Sequence, residues 1–331
     1  MTLPNRPALS VVAPCYNEQD VLPEFLRRVG AVLDGVGGTS EVVLVDDGSR
    51  DRTWEVMTEA AARDPRIVAV RLMRNHGHQL ALTAGLSICR GERILIIDAD
   101  LQDPPELLPD MMVVMDQGAD VVYGQRRQRA GESLFKRATA AAFYRLIGRL
   151  TDVEIPLDAG DFRLITRRVL DLLTAMPERH RFVRGMVAWI GGKQVPLPYD
   201  RKARAAGESK YPLLKMVRFA TDGIVSFSIM PLKIAIWTGF IAIWLAIAGI
   251  IVAVAVRLLD KNLDRGWASL FVAVLFMGGI QLVSLGIIGE YLGRIYTEVK
   301  RRPLYIVQER LGFQAKRGEE KRELEAQGAK R

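Results

Sequence analysis

The stretch Arg93–Glu106, RILIIDADLQDPPE, decides the fold. The run Ile94-Leu95-Ile96-Ile97 is apolar and rich in β-branched residues, and it is too short for a helix, so it reads as a buried strand. Asp98-Ala99-Asp100 ends the run. Pro104-Pro105-Glu106 then opens a helix, where proline costs no hydrogen bond and an acidic side chain meets the positive end of the helix dipole. A buried strand that feeds a helix through a polar turn is the first half of a β-α-β unit.

The pattern repeats upstream. Leu9–Ala13 is an apolar run that stops at Pro14, and a helix follows over Val21–Leu33. Glu41–Val45 is a second buried strand, ending in Asp46-Asp47-Gly48-Ser49, where glycine permits a tight turn and Ser49 or Asp51 can cap the next helix. Helices over Thr53–Arg63, Gln79–Cys89 and Pro105–Gln117 alternate with strands over Ile67–Leu72 and Asp120–Tyr123. Such alternation predicts an α/β fold: a mostly parallel sheet with helices on both faces. Ligands bind such sheets at the carboxyl ends of the strands, where the polar clusters fall.

The 331 residues are 49% hydrophobic, and the apolar residues concentrate near the C-terminus. Two uncharged runs, 234–256 and 266–289, are each long enough to cross a hydrocarbon core of about 30 Å. The N-terminus carries no signal-peptide pattern. Lys210, Lys215, Arg218 and Lys233 precede the runs, and Arg294, Lys300, Arg301 and Arg302 follow them, which predicts both termini and the catalytic region inside, in an inner (plasma) membrane protein of two spans. Two further segments, 134–150 and 212–230, mix basic and apolar residues and read as amphipathic helices for a membrane surface or the sheet. The expected organisation is a catalytic domain over 1–211, a juxtamembrane helix over 212–231, a transmembrane pair within 232–292, and a cytoplasmic tail over 293–331 that frays after Val307. Cys15 and Cys89 form neither a disulfide framework nor a zinc pattern. The net charge of +8 sits beside the membrane segments without a nucleic-acid motif, so anionic lipid and phosphate-bearing substrates account for it.

Asp98 and Asp100, one residue apart at a strand end, can both turn toward one hard cation, with substrate phosphates completing its shell. Pro14-Cys15-Tyr16-Asn17-Glu18 and Asp46-Asp47 form two more polar clusters at the same sheet edge. Asn75-His76-Gly77-His78-Gln79 presents two histidines without a third ligand nearby, which leaves lining of the pocket or plain helix entry.

Together these segments resemble the family-2 glycosyltransferases of GT-A fold, and within them the polyprenyl-phosphate branch, dolichyl-phosphate mannose synthases and bactoprenol glucosyltransferases. Gly160–Leu164 (GDFRL), Arg179–Gly185 (RHRFVRG), Gly207–Tyr211 (GESKY) and Gly289–Tyr296 (GEYLGRIY) carry the resemblance further. The resemblance implies a nucleotide-sugar donor bound by Pro14, Tyr16, Glu18, Asp46, Asp47, Asp98, Gln102, Arg204, Ser209 and Lys210. It implies Mg²⁺ or Mn²⁺ on Asp98, Asp100 and Gln102, acceptor phosphate near Arg126, Arg137 and Arg163, and Asp161 at the position of the family's proposed base. UDP-glucose is the favoured donor and undecaprenyl phosphate the acceptor; GDP-mannose and a modified UDP-arabinose stay open. A homotetramer is expected, as in close relatives. A processive polysaccharide synthase fits less well, because two spans build no obvious channel. A membrane scaffold packed through Gly278, Gly279, Gly286 and Gly289 would leave the acidic clusters unused.

Overall fold

The computed structural model describes residues 6–127, 159–200, 229–259 and 267–312. In chain order the strands are β1 Leu9–Cys15, β2 Ser40–Asp46, β3 Ile67–Leu72, β4 Arg93–Ile96, β5 Val121–Arg126, β6 Ala159–Thr166, β7 Gln194–Tyr199 and β8 Val307–Leu311. The helices are α1 Leu22–Val36, α2 Thr53–Arg63, α3 His78–Ile88, α4 Leu108–Asp116, α5 Arg167–Ala175, α6 Val183–Ile190, α7 Met230–Leu259 and α8 Trp267–Val299. Pro105–Leu107 forms a short 3-10 turn ahead of α4. The strands make one sheet in the order β7-β5-β6-β4-β1-β2-β3-β8.

The expected parallel block is β4-β1-β2-β3. The rest of the sheet is mixed. β6 runs against both of its neighbours, β4 and β5, and β8 runs against β3. Alternation along the strands sorts the core onto two faces. Val11, Ala13, Val42 and Leu44 pack with Leu22, Phe25, Met57, Leu108 and Met111 from α1, α2 and α4. Val12, Val43 and Val45 pack with Leu82, Leu86, Val169, Leu170 and Met186 from α3, α5 and α6. Burying each such side chain stabilises the fold by about 1.5–3 kcal/mol.

The tail does not fray at Val307. Val307–Leu311 closes the free edge of β3, which would otherwise leave a row of backbone donors and acceptors unpaired. Leu311 and Val307 lie against the two cores, and the Tyr305 hydroxyl sits 2.6 Å from Ser87 Oγ on α3.

The helices α7 and α8 contain the two apolar runs. Their mean hydropathy reaches 2.3 over Met230–Val252 and 1.7 over Ala273–Val299. Trp237, Trp244 and Leu282 are 67%, 70% and 72% exposed. Apolar surface on this scale calls for an apolar surrounding, and both helices are long enough to cross a membrane. A Cβ at Gly278, Gly279, Gly286 or Gly289 would meet nothing within 4 Å, so these glycines do not seat α8 on α7. α8 runs on past Gly289, the end of the uncharged run, to Val299. The amphipathic segment 134–150 and most of 212–230 lie outside the described residues.

Candidate active site

The carboxyl ends of β1, β2 and β4 surround a cavity of about 240 Å³. Pro14, Tyr16, Glu18, Asp47, Asp98 and Asp100 line it together with Asn75, Gly77 and His78. The loop after β1 is stitched to the loop after β2: Asn17 N donates to Ser49 Oγ (3.0 Å), Glu18 N to Thr53 Oγ1 (2.8 Å), and Arg50 N to Asn17 Oδ1 (2.9 Å). Ser49 therefore ties the two loops, while Asp51 accepts from Thr53 N at the start of α2. Gly48 has φ +66°, and a Cβ there would lie 2.6 Å from the carbonyl carbon of Arg74, so only glycine lets the loop after β3 cross this closely.

Asp47 holds that crossing loop. Its two carboxylate oxygens accept from His76 N (2.7 Å) and Gly77 N (2.8 Å). Burial pushes its carboxyl above the usual range, against the pull of those two backbone donors. Asp46 does not reach the cavity wall. It is fully buried, accepts from Ser49 N at 2.9 Å, and faces Arg71 Nε at 3.3 Å. Neighbouring residues at a strand end point to opposite faces, so Asp46 and Asp47 separate.

The register of β6 on β4 sets the far side of the site. Ile96 lies opposite Arg163, and continuing that register past the end of β4 brings Asp161 opposite Asp98. Asp161 is 9% exposed and Arg163 is 3% exposed. Asp161 Oδ2 accepts from Gln79 Nε2 at 3.0 Å and lies 3.3 Å from His78 Nε2. Its Oδ1 lies 3.5 Å from Arg184 Nε. Burial would raise the Asp161 carboxyl, but the His78 bond and the Arg184 and Arg163 charges outweigh it and hold it well below the usual carboxylate range.

His78 Nε2 is also 3.6 Å from Asp98 Oδ1. Burial works against charge on His78, yet its contact with Asp161 and the two nearby carboxylates push it up to about 9. Asp98 itself is pushed up to about 6 by burial, with Asp161, Asp100 and Asp103 adding to the rise and His78 opposing it. Asp98 Oδ1 is buried without a hydrogen-bond partner. Among the described residues no three His, Cys, Asp or Glu side chains gather to hold a metal ion. Asp98 and Asp100 offer two carboxylates, which suffices for Mg²⁺ or Mn²⁺ when a diphosphate completes the shell. The unsatisfied, crowded Asp98 oxygen fits a cation. Between Asp100 and Gln102, Leu101 adopts φ +59°, and Gln102 N donates to Asp100 Oδ1 at 3.1 Å. Gln102 is 8% exposed, and it orients Asp100 through its amide rather than lining the cavity.

Arg126, at the end of β5, donates to the Tyr199 hydroxyl at 3.4 Å, and Tyr199 in turn donates to buried Asp103. Arg163 does not face an open acceptor surface. Its guanidinium donates to the carbonyls of Gly160 (2.9 Å) and Asp161 (3.3 Å), so it braces the start of β6 that presents Asp161. Arg137, Arg204, Ser209 and Lys210 lie outside the described residues. Sequence reasoning missed Gln79 and Arg184, and it saw no partner for His78. The available signal was the placement of His78-Gln79 in the first turn of α3 and of Arg184 in the first turn of α6, both opening toward β6.

Residues 10–173 match the domain described as glycosyl transferase family 2, and residues 230–295 match the GtrB C-terminal hairpin. The chain is 46% identical to the glycosyltransferase YkcC of Bacillus subtilis (strain 168) over 308 residues, 93% of this chain and 95% of that protein. It is 38% identical to the prophage bactoprenol glucosyl transferase homolog of Escherichia coli (strain K12), over 90% of this chain and 98% of that protein. It is likewise 38% identical to the bactoprenol glucosyl transferase of Shigella phage SfII, over 90% and 97%.

The charge network predicts an order of stabilities. Asp161→Ala strands buried Arg163 and the His78–Arg184 pair without their shared anion, a loss of about 3 kcal/mol. Arg184→Ala leaves Asp161 bonded to Gln79 and His78 and costs less. Thermal unfolding in detergent should show the larger drop for Asp161→Ala; equal melting temperatures for wild type and Asp161→Ala would contradict the network.

Proposed function

Because the chain belongs to glycosyl transferase family 2, we propose that it moves glucose from UDP-glucose onto the phosphate of a polyprenyl lipid, undecaprenyl phosphate, at the cytoplasmic face of the membrane. One juxtaposition carries this reading: a cavity lined by Asp98, Asp100 and His78, with Asp161 behind His78, belongs to the same chain as an apolar hairpin. The relatives named bactoprenol glucosyl transferases align across both parts, which supports the lipid acceptor and the sugar. The pairing of β8 with β3 supports the topology. The chain leaves the second span and returns to the sheet, so both ends of the hairpin lie on the side of the catalytic domain. The basic flanks make that side the cytoplasm.

In this reading the donor's nucleotide lies against Tyr16, Glu18 and the loop held by Asp47. Asp98 and Asp100 would hold Mg²⁺ or Mn²⁺, which supplies positive charge to the leaving diphosphate. The nucleophile is a lipid phosphate oxygen. With a second pKa of about 6, that phosphate is largely dianionic at neutral pH and needs little help from a base. A carboxylate held far below its usual range is also a weak proton acceptor. Asp161 therefore organises charge: it fixes His78 and Arg184 as cations at the place where two anions must meet. Arg126 faces the acceptor phosphate, and Arg163 supports Asp161 from behind. In-line attack inverts the anomeric centre. The exposed glycine face of α8 is free to meet other copies, as a homotetramer requires.

Membranes carrying the protein, incubated with labelled UDP-glucose, GDP-mannose and a UDP-arabinose derivative, should yield one organic-extractable, phosphate-linked monosaccharide, from UDP-glucose. EDTA should abolish the product reversibly, and Asp100→Ala should abolish it without unfolding the protein. A polymer, no lipid product, or full activity in EDTA would contradict the reaction or its metal. Native mass measurement in mild detergent should give four chains, and a monomer would contradict the assembly.

A further inference from the structure

The loop between α5 and α6, residues 176–182, is gripped from two sides. From within, Arg181 donates to the carbonyls of Leu173 (2.6 Å) and Met176 (3.1 Å). From outside, the last turn of α8 holds it. Arg179 N donates to Glu298 Oε1 at 2.8 Å, the Arg179 guanidinium donates to the Arg302 carbonyl, and His180 Nε2 lies 3.1 Å from Thr297 Oγ1. Glu298 and Thr297 belong to the polar extension of α8 beyond its uncharged run.

The next residues after this loop are those of the active site. α6 starts at Val183 without a side-chain cap, so its neighbours fix where it begins. Gln79 Oε1 accepts from Val183 N at 2.9 Å, and the other end of the same side chain donates to Asp161. Arg184 then reaches Asp161 at 3.5 Å, near the limit for an ion pair. Displacing the loop by about 1 Å would break that approach, and misplacements of this size can cost up to about a hundredfold in rate.

We propose that the exit of α8 is a positioning element for the active site, with Glu298 at its centre: it fixes the loop before α6 and thereby seats Arg184 against Asp161. The membrane hairpin then sets catalytic geometry as well as tethering the domain. The kinetic part of this inference rests on the transferase reaction proposed above; the docking part does not.

The test uses the full-length protein in lipid nanodiscs, comparing wild type, Glu298→Ala and Glu298→Gln. Glutamine keeps the oxygen that accepts from Arg179 N. Glu298→Ala should lower kcat about tenfold with the donor KM within about twofold, and should speed amide hydrogen exchange across 179–190. Glu298→Gln should stay within about twofold of wild type in both. An unchanged kcat in Glu298→Ala, or a lowered kcat with unchanged exchange across 183–190, overturns the proposal. Should Glu298→Ala fail to fold, Glu298→Met, which keeps the length of the side chain but cannot accept from Arg179 N, carries the test with the same expected signature, and its absence overturns the proposal. If wild type makes no lipid-linked sugar, the proposed reaction fails, and exchange decides alone. Faster exchange in Glu298→Ala but not in Glu298→Gln supports the docking, and equal exchange overturns it.

Discussion

Four aspartates, Asp98, Asp100, Asp103 and Asp161, crowd one end of the sheet, and the site exists because their repulsion is balanced. Burial raises the cost of each charge, which appears as the upward push on Asp98. The balance comes from His78 between Asp98 and Asp161, Arg184 and Arg163 around Asp161, and Arg126 with Tyr199 beside Asp103. Such an arrangement suits a reaction in which two phosphate-bearing anions meet. Cations prearranged by buried carboxylates need no reorganisation when charge shifts to the leaving group.

The same balance explains the architecture around the site. Asp161 can stand opposite Asp98 only because β6 runs antiparallel to β4 in a fixed register. α3 contributes His78 and Gln79 from its first turn, and Gln79 ties Asp161 to the start of α6. α6 follows a loop that the end of α8 holds. β8 then returns the chain to the sheet. The apolar hairpin is thus connected to the catalytic domain at two places: the loop before α6, on the face that supplies His78 and Arg184, and the β3 edge of the sheet.

The parallel block was legible because its strands are largely apolar runs, and three of the four, β1, β2 and β4, stop at a proline or an aspartate. β6 was not. Ala159–Thr166, AGDFRLIT, carries a buried aspartate and a buried arginine that interrupt the apolar signal. The segment is a strand because it pairs with both β4 and β5, while distant His78, Gln79 and Arg184 satisfy the aspartate and nearby carbonyls the arginine. β8, VQERL, is too charged to read as a strand, and it forms because β3 leaves an edge to fill. At the site, the spacing of Asp98 and Asp100 and the position of Asp47 were legible. Asp46 was misplaced, because adjacency in sequence hides the alternation of a strand end. The partnership of His78 and Gln79 with Asp161 spans about eighty residues, and its one local sign was the place of both side chains in the first turn of α3.

The central claim is that Asp161 organises charge and does not accept a proton. It is tested most directly by the pH–rate profiles of wild type and Asp161→Asn at saturating donor. Below pH 6 the lipid phosphate gains a second proton, and a catalytic base would matter more there. If Asp161 organises charge, the mutant deficit is similar at pH 6 and pH 8. A deficit that grows more than about tenfold between pH 8 and pH 6, about 1.4 kcal/mol, would contradict the account.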